Sequence, residues 1–378
     1  MLPLRTRTLL TPWMRHARPD SIASHSRPEC ERRNDLHTPA TVVSGRGRKL
    51  LEDIWYGRHP LSVVLTPLSW VFRFVAWIRR AVYTSRLLNV YRAPVPVIVV
   101  GNIAVGGSGK TPLVIWLAER LHDYGFKPGI VARGYRGKAK SWPQQVRADS
   151  DPVAVGDEAI VIARRTAMPV AVGPHRADDI RALLRHSDTN IIIGDDGLQH
   201  YALARDIEIV VLDGVRRTGN GACLPAGPLR EPASRLAEVD LVVTNGLAGR
   251  GEFPMRYRAR ALRRVDGVGS GIELDAFSPK IVHAVAAVGN PQGFFAMLRR
   301  NGFRCTHHVF PDHYLFRAQD FEFGDDRPII MTEKDAVKCE HICAAHFWYL
   351  PIEAELPEVF ERRLKTLLKK VLHGQETT

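Results

Sequence analysis

The chain is poor in cysteine, with five in 378 residues: Cys30, Cys223, Cys305, Cys339 and Cys343. The number is odd and the spacing irregular, which excludes a disulfide framework and fits a reducing compartment. Cys339, His341, Cys343 and His346 crowd together. A structural zinc site pairs its ligands around a loop, whereas these residues read as a helix and its exit, so we take the cluster as coincidence. No apolar h-region stands before a small-residue cleavage site, and a secretory signal is a poor fit. Nor does any clean apolar run match the ~20 residues that span a bilayer. Leu61–Phe72 is uncharged over 12 residues, but Pro67 interrupts it and Arg73 ends it. There is no internal repeat. The absence of G-x-G-x-x-G sets aside a dinucleotide fingerprint.

Charge is also missing from most of the chain. Of the net +13, residues 1–92 carry +10, with 16 Lys and Arg against 6 Asp and Glu, and the other residues carry +3. A near-neutral body excludes a nucleic-acid motor, which needs basic surface throughout, and no nucleic-acid partner is expected. The basic front holds Trp55, Trp70 and Trp77, with Tyr56, Phe72, Phe74 and Tyr83. Aromatics mixed with arginine (Arg73, Arg79, Arg80 and Arg86) suit a lipid headgroup boundary better than a DNA groove. A helical hairpin docked on its own domain is the plainer alternative.

Organisation follows from texture. Residues 1–48 are rich in Arg, Ser, Pro, Thr and His without periodicity and read as a disordered extension. Residues 49–92 read as helix in pieces, an interfacial segment. From Val95 apolar strands alternate with helices, the pattern of a parallel, doubly wound sheet. We expect a P-loop NTPase-type α/β core over 93–265 and a smaller second α/β domain over 266–378, closed by an amphipathic helix, Glu358–Leu372.

The densest chemistry lies where the apolar strand ending at Val100 runs through Gly101-Asn102-Ile103-Ala104-Val105-Gly106-Gly107-Ser108-Gly109 into Lys110-Thr111 and a helix. Strand, glycine-rich turn, Gly-Lys-Thr and helix together make a P-loop. Glycines let backbone N–H groups curl around phosphate, and the helix N-terminus adds its positive end. We assign Asn102, Ala104, Val105, Gly106, Gly107, Ser108, Gly109, Lys110 and Thr111 to ATP, with Lys110 on the β/γ-phosphates and Thr111 on Mg²⁺. Ala104 departs from the consensus, which asks for glycine there.

A P-loop needs a carboxylate at a neighbouring strand end to organise the metal. Asp195 and Asp196 follow the strand Asn190–Gly194 and are favoured; Asp213, after Ile207–Leu212, is the runner-up, with a turn residue as its simpler role. Asp157 and Glu158 open a helix, where they serve either as charge complement or, in Asp157, as general base; spacing leaves both open. Arg230, on the stiff Leu224–Pro232 loop, is suited to stabilising a transferring phosphoryl group, or to a salt bridge with Glu231. His313, on the Phe310–Tyr314 loop, reads alone as structural.

Taken in order, these segments resemble the tetraacyldisaccharide 4'-kinase family. The matching pieces are Gly101–Pro112, Arg133-Gly134-Tyr135, Gly156-Asp157-Glu158, Asp195–His200, Leu224–Glu231, Gly289-Asn290-Pro291, Phe310–His313 and Thr332-Glu333-Lys334-Asp335. The resemblance implies transfer of ATP's γ-phosphate to the 4'-hydroxyl of a tetraacyl glucosamine disaccharide 1-phosphate, a lipid A precursor. It implies a monotopic enzyme on the cytoplasmic face of a Gram-negative inner membrane, with ATP and Mg²⁺ and no obligate protein partner. It implies Lys110 and Thr111 as phosphate and metal residues, Asp195 and Asp196 near metal, Asp157 as base and His313 as its supporting histidine. The competing expectation is a membrane-recruited P-loop ATPase acting as a switch. That class often carries an early lysine, K-G-G-x-G-K-T, where this chain has Val105.

Overall fold

The computed structural model describes residues 45–376 apart from 58, 86 and 136. The extension expected over 1–48 therefore lies outside the described residues up to 44, and its last residues start a helix. Arg86 also lies outside them. Two helices open the described chain, α1 (Gly45–Tyr56) and α2 (Leu61–Thr84). Where the sequence reads as helix in pieces, the structure has one helix of 24 residues that runs through Pro67. Proline withholds a single N–H from the carbonyl four residues back, and Pro67 is exposed, so neighbouring turns carry the helix past it. With a mean hydropathy of 1.7, α2 is long and apolar enough to cross a membrane by length and composition. The interruption expected from Pro67 is thus overturned.

The chain continues as β1 (Val97–Gly101), α3 (Lys110–Asp123), β2 (Pro128–Ala132), β3 (Gln144–Val146), α4 (Pro152–Val155), α5 (Asp157–Thr166), β4 (Val170–Val172), α6 (Arg176–His186), β5 (Ile191–Asp195), β6 (Ile207–Asp213), β7 (Leu241–Asn245) and β8 (Phe253–Arg258). A second series follows: β9 (Ala261–Arg264), β10 (Ile272–Glu273), β11 (Ile281–Ala286), α7 (Pro291–Arg300), β12 (Arg304–Val309), β13 (Ile329–Thr332), α8 (Glu333–Cys339), β14 (Phe347–Leu350), β15 (Glu353–Glu355) and α9 (Glu358–Glu376).

The strands form a sheet of nine in the order β15-β8-β7-β6-β1-β5-β2-β4-β3 and a sheet of six in the order β10-β9-β14-β13-β11-β12. In the first, every pairing from β8 to β4 is parallel and only the edges β15 and β3 are antiparallel. The continuous apolar strands are explained by burial on both faces. Ile98 and Val100 of β1 pack with the core around α3 and α5, while Val97 and Val99 pack toward α6. This is the doubly wound α/β architecture with a smaller second sheet read from the sequence. Such sheets bind ligands at the carboxyl ends of their strands, beside the point where strand order reverses. Here that point is β1, flanked by β5 and β6.

The span 266–378 expected for the second domain divides. Strand β9 already pairs with β14, ahead of residue 266. After β14 the chain returns: β15 pairs with β8, Ala354 opposite Tyr257. Helix α9 then buries Phe360, Leu364 and Leu368 in the first core, with Phe360 edge-on to Trp116 and Phe253. Its apolar stripe has its partner on the first sheet, so the tail follows it there.

Candidate active site

The loop after β1 is held open by its own contacts. Gly106 (φ 114°) and Gly109 (φ 89°) occupy the left-handed region, where glycine carries no Cβ penalty. Gly109 has a second reason: a Cβ there would lie 1.6 Å from the Tyr257 hydroxyl of β8. Ala104 instead forms an antiparallel bridge with Leu229, an extended backbone that needs no glycine, which accounts for the departure from the consensus. Asn102 Nδ2 donates to Gly106 O at 3.2 Å. Val105 N donates to Pro228 O at 2.8 Å, and Arg230 N to Ile103 O at 2.7 Å. Lys110 and Thr111 begin α3, so the loop's N–H groups and the helix's positive end converge on one spot.

The carboxylates of β5 meet this spot from the neighbouring strand. Asp196 lies 3.3 Å from Lys110 Nζ and 3.4 Å from Arg230 Nη1. Burial opposes its charge, but those two cations hold its carboxyl below the usual range. Its φ of 50° is strained for a residue with a Cβ, a state that clusters at functional sites. Asp195 is buried, with Arg176 Nη2 bound to its carbonyl at 2.9 Å. Burial, then Glu158, pushes its carboxyl up to about 7, and its Oδ1 has no hydrogen-bond partner. A buried carboxylate oxygen that lacks a partner and resists ionising fits a cation. Thr111, buried at the start of α3, supplies a hydroxyl. Among the described residues no group of three His, Cys, Asp or Glu side chains is placed to hold a metal ion, so phosphate and water would complete the shell of a hard ion. Asp213, the runner-up, accepts from Val215 N and Arg216 N, each at 2.9 Å. That is the turn role.

The second sheet's loops close over the first from the other side. Asp157 starts α5 and is 6% exposed. His313 Nδ1 lies 3.1 and 3.0 Å from its two oxygens, and Glu158 N donates to Asp157 Oδ1 at 2.8 Å. Burial opposes the Asp157 charge, yet the His313 hydrogen bond and Lys334 outweigh it and hold the carboxyl low. The same hydrogen bond, against burial, raises His313. His313 sits at φ 60°, and its ring lies 5.4 Å from that of Tyr135. Glu158 pairs with Lys334 of α8. A Cβ on Gly289 would lie 3.5 Å from Gly107 N, so the turn after β11 abuts the glycine-rich turn after β1.

The Leu224–Glu231 loop joins this cleft to the front helices. Arg230 points to Asp196 and not to Glu231; Glu231 accepts from Gln199 Nε2 at 2.7 Å. The other end of the loop is pinned by α1 and α2. Trp55 Nε1 donates to Pro225 O at 3.0 Å, buried Ser69 donates to Cys223 O at 2.7 Å, and Ala226 N donates to Ser69 Oγ at 3.0 Å. Arg80 pairs with Glu238. The far side of α2 is bare: Trp70 and Trp77 are 67% and 63% exposed, and Val71, Phe74 and Ile78 are exposed beside them. Sequence reading missed Lys334, Lys338 and Tyr257. Lys334 enters only within the Thr332–Asp335 piece of the resemblance, and nothing in its composition signals that α8 packs on α5.

A family model described as tetraacyldisaccharide-1-P 4'-kinase matches residues 61–369. Among curated proteins, a tetraacyldisaccharide 4'-kinase of Nitrosococcus oceani is 50% identical, over 84% of this chain and 93% of its own length. One of Methylobacillus flagellatus is 46% identical, over 86% of this chain and 97% of its own. Among solved structures, LpxK from Aquifex aeolicus in complex with ATP superposes with a TM-score of 0.70 at 28% identity, covering 82% of this chain and 99% of that one.

Proposed function

The chain belongs to the tetraacyldisaccharide-1-P 4'-kinase family, and from that premise we propose how its cleft carries out the reaction. The enzyme phosphorylates the 4'-hydroxyl of a tetraacyl disaccharide 1-phosphate at the expense of ATP, a step of lipid A biosynthesis. The nucleotide's terminal phosphates lie against the backbone N–H groups of Gly106–Lys110. Lys110 and Arg230, both next to Asp196, neutralise charge on the γ-phosphoryl group as it leaves ADP. Thr111, Asp195 and Asp196 would hold a Mg²⁺ ion, which when bound neutralises phosphate charge.

Asp157 is the general base. It takes the proton of the 4'-hydroxyl as that oxygen forms its bond to the γ-phosphorus and the bond to the β-phosphate oxygen breaks. His313 keeps the carboxylate ionised and oriented. The observation that carries this reading is a buried carboxylate at the start of α5 held by a histidine on a loop of the second sheet, with the turn after β11 against the turn after β1. A tetraacyl substrate stays in the bilayer, so the enzyme comes to the surface. The inner side of α2 is engaged along its length by Ser69, Arg80 and Tyr83, which favours a helix lying in the interface over one crossing it. Together with the basic front, this supports a monotopic enzyme at the cytoplasmic face of the inner membrane.

The test is transfer of ³²P from γ-labelled ATP to disaccharide 1-phosphate in detergent micelles. Wild type should label the lipid, and Asp157→Asn should lose a hundredfold or more, of the order expected for general base catalysis (~10²–10⁴). Label appearing only as inorganic phosphate would favour the switch ATPase instead.

A further inference from the structure

We propose that Lys338 is a positioning residue for Asp157, and that buried Asp335 holds both Lys338 and the backbone that carries His313. This rests on the reading of Asp157 as the base. Lys338 is 4% exposed, on the face of α8 that packs against α5. Its ammonium lies 2.8 Å from Asp335 Oδ1 and 3.8 Å from Asp157 Oδ2, with the Phe316 ring centre 5.2 Å away. A lysine is almost never fully buried unless paired, and this one is shared between two carboxylates that come from different bodies.

Asp335 is fully buried. Its Oδ2 accepts from Ala287 N at 3.0 Å and from Thr332 Oγ1 at 2.7 Å. Ala287 O in turn accepts from His313 N at 3.2 Å. The contacts therefore close a ring: Asp157 to His313, through its backbone to Ala287, to Asp335, to Lys338 and back to Asp157. One buried carboxylate thus holds both Lys338 and the backbone that carries His313. A pair needed only for packing has no reason to reach 3.8 Å beyond itself to a catalytic oxygen, and replacing such a pair by apolar side chains is often neutral for stability.

The charged groups around Asp157 are His313, Lys338 and Lys334 on the second body and Glu158 beside it, with Asp335 and Asp312 behind Lys338 and His313. Two opposite charges from α8 and one like charge from α5 make the ionised form of Asp157 depend on the seating of α8. Removing Lys338 takes away a cation, so Asp157 should hold its proton to higher pH.

The test uses full-length enzyme in detergent micelles with γ-labelled ATP, comparing Lys338→Met, Lys338→Arg and Asp157→Asn across pH, with circular dichroism as the folding check. Lys338→Met should lower kcat about tenfold, leave the KM for ATP unchanged, and move the acid limb of kcat up by about one pH unit. Lys338→Arg should return the limb toward wild type. If Lys338→Met does not fold, Lys338→Gln is read the same way. An inactive Asp157→Asn with an unmoved acid limb in the folded Lys338 variant overturns the role of Lys338 alone. A fully active Asp157→Asn overturns the base itself and the proposal with it.

Discussion

Replacing His313 with alanine is the perturbation whose size the structure best defines. Its Nδ1 lies 3.1 and 3.0 Å from the two oxygens of Asp157, and both side chains are largely buried, at 14% and 6% exposure. A hydrogen bond to a charged group contributes about 1.5–3 kcal/mol, and little discount for solvent applies at this burial. One pH unit corresponds to about 1.4 kcal/mol, so loss of the bond should raise the Asp157 carboxyl by about one to two units. The sign follows from the base needing to be ionised. The wild-type carboxyl is held low, so activity persists to acidic pH; in His313→Ala it should fade as pH drops through the raised value. Below that point kcat should fall by up to about tenfold per unit, and at neutral pH a loss of roughly tenfold to a hundredfold is expected from misorientation and lost charge support together. The KM for ATP should not move, because the phosphate loop is untouched. Lipid phosphorylation followed from pH 5 to 9 measures all of this. An acid limb and a neutral-pH rate both within error of wild type would refute the reasoning.

Other outcomes follow from neighbouring geometry. Lys110→Ala should cost roughly a hundredfold or more in lipid phosphorylation, with the lipid still bound to the enzyme in a pull-down. Gly109→Ala puts a Cβ 1.6 Å from the Tyr257 hydroxyl at φ 89°; titration calorimetry should find nucleotide binding abolished, and Tyr257→Phe should not restore it because the backbone strain remains. Changing Trp70, Phe74 and Trp77 together to serine should release the enzyme from anionic vesicles in cosedimentation while its melting temperature stays put, since all three are exposed. Ser69→Ala leaves Ala226 N without its partner in a buried place, while Cys223 O keeps Gly227 N at 3.0 Å; a loss of about 1–3 kcal/mol in urea unfolding is expected.

The turn between β1 and α3 was legible as a turn because its constraints are local: glycines at positive φ and a helix start leave marks within a dozen residues. The doubly wound sheet was legible because strands buried on both faces are continuously apolar. What escaped was nonlocal or polar. His313 and Asp157 are 156 residues apart, and only the family resemblance joined them. Lys338 is buried and Lys334 half-buried because α8 meets α5, a contact that sequence alone does not give. Strand β8 (Phe-Pro-Met-Arg-Tyr-Arg) holds Tyr257 but carries Pro254, which argues against a strand. Edge strand β12 (Arg-Cys-Thr-His-His-Val) has no fully buried residue and no apolar alternation. The return of β15 and α9 to the first sheet left no mark in composition.

The central claim is that the turn between β1 and α3 encloses the terminal phosphates of the nucleotide while Asp157 waits across the cleft for the acceptor hydroxyl. A crystal structure with a non-hydrolysable ATP analogue, Mg²⁺ and the disaccharide 1-phosphate tests it most directly. The γ-phosphate should contact Lys110 and the N–H groups of Gly106–Lys110, with the sugar's 4'-oxygen within hydrogen-bond distance of Asp157. A nucleotide bound elsewhere with that turn empty, or a 4'-oxygen facing another carboxylate, would contradict it.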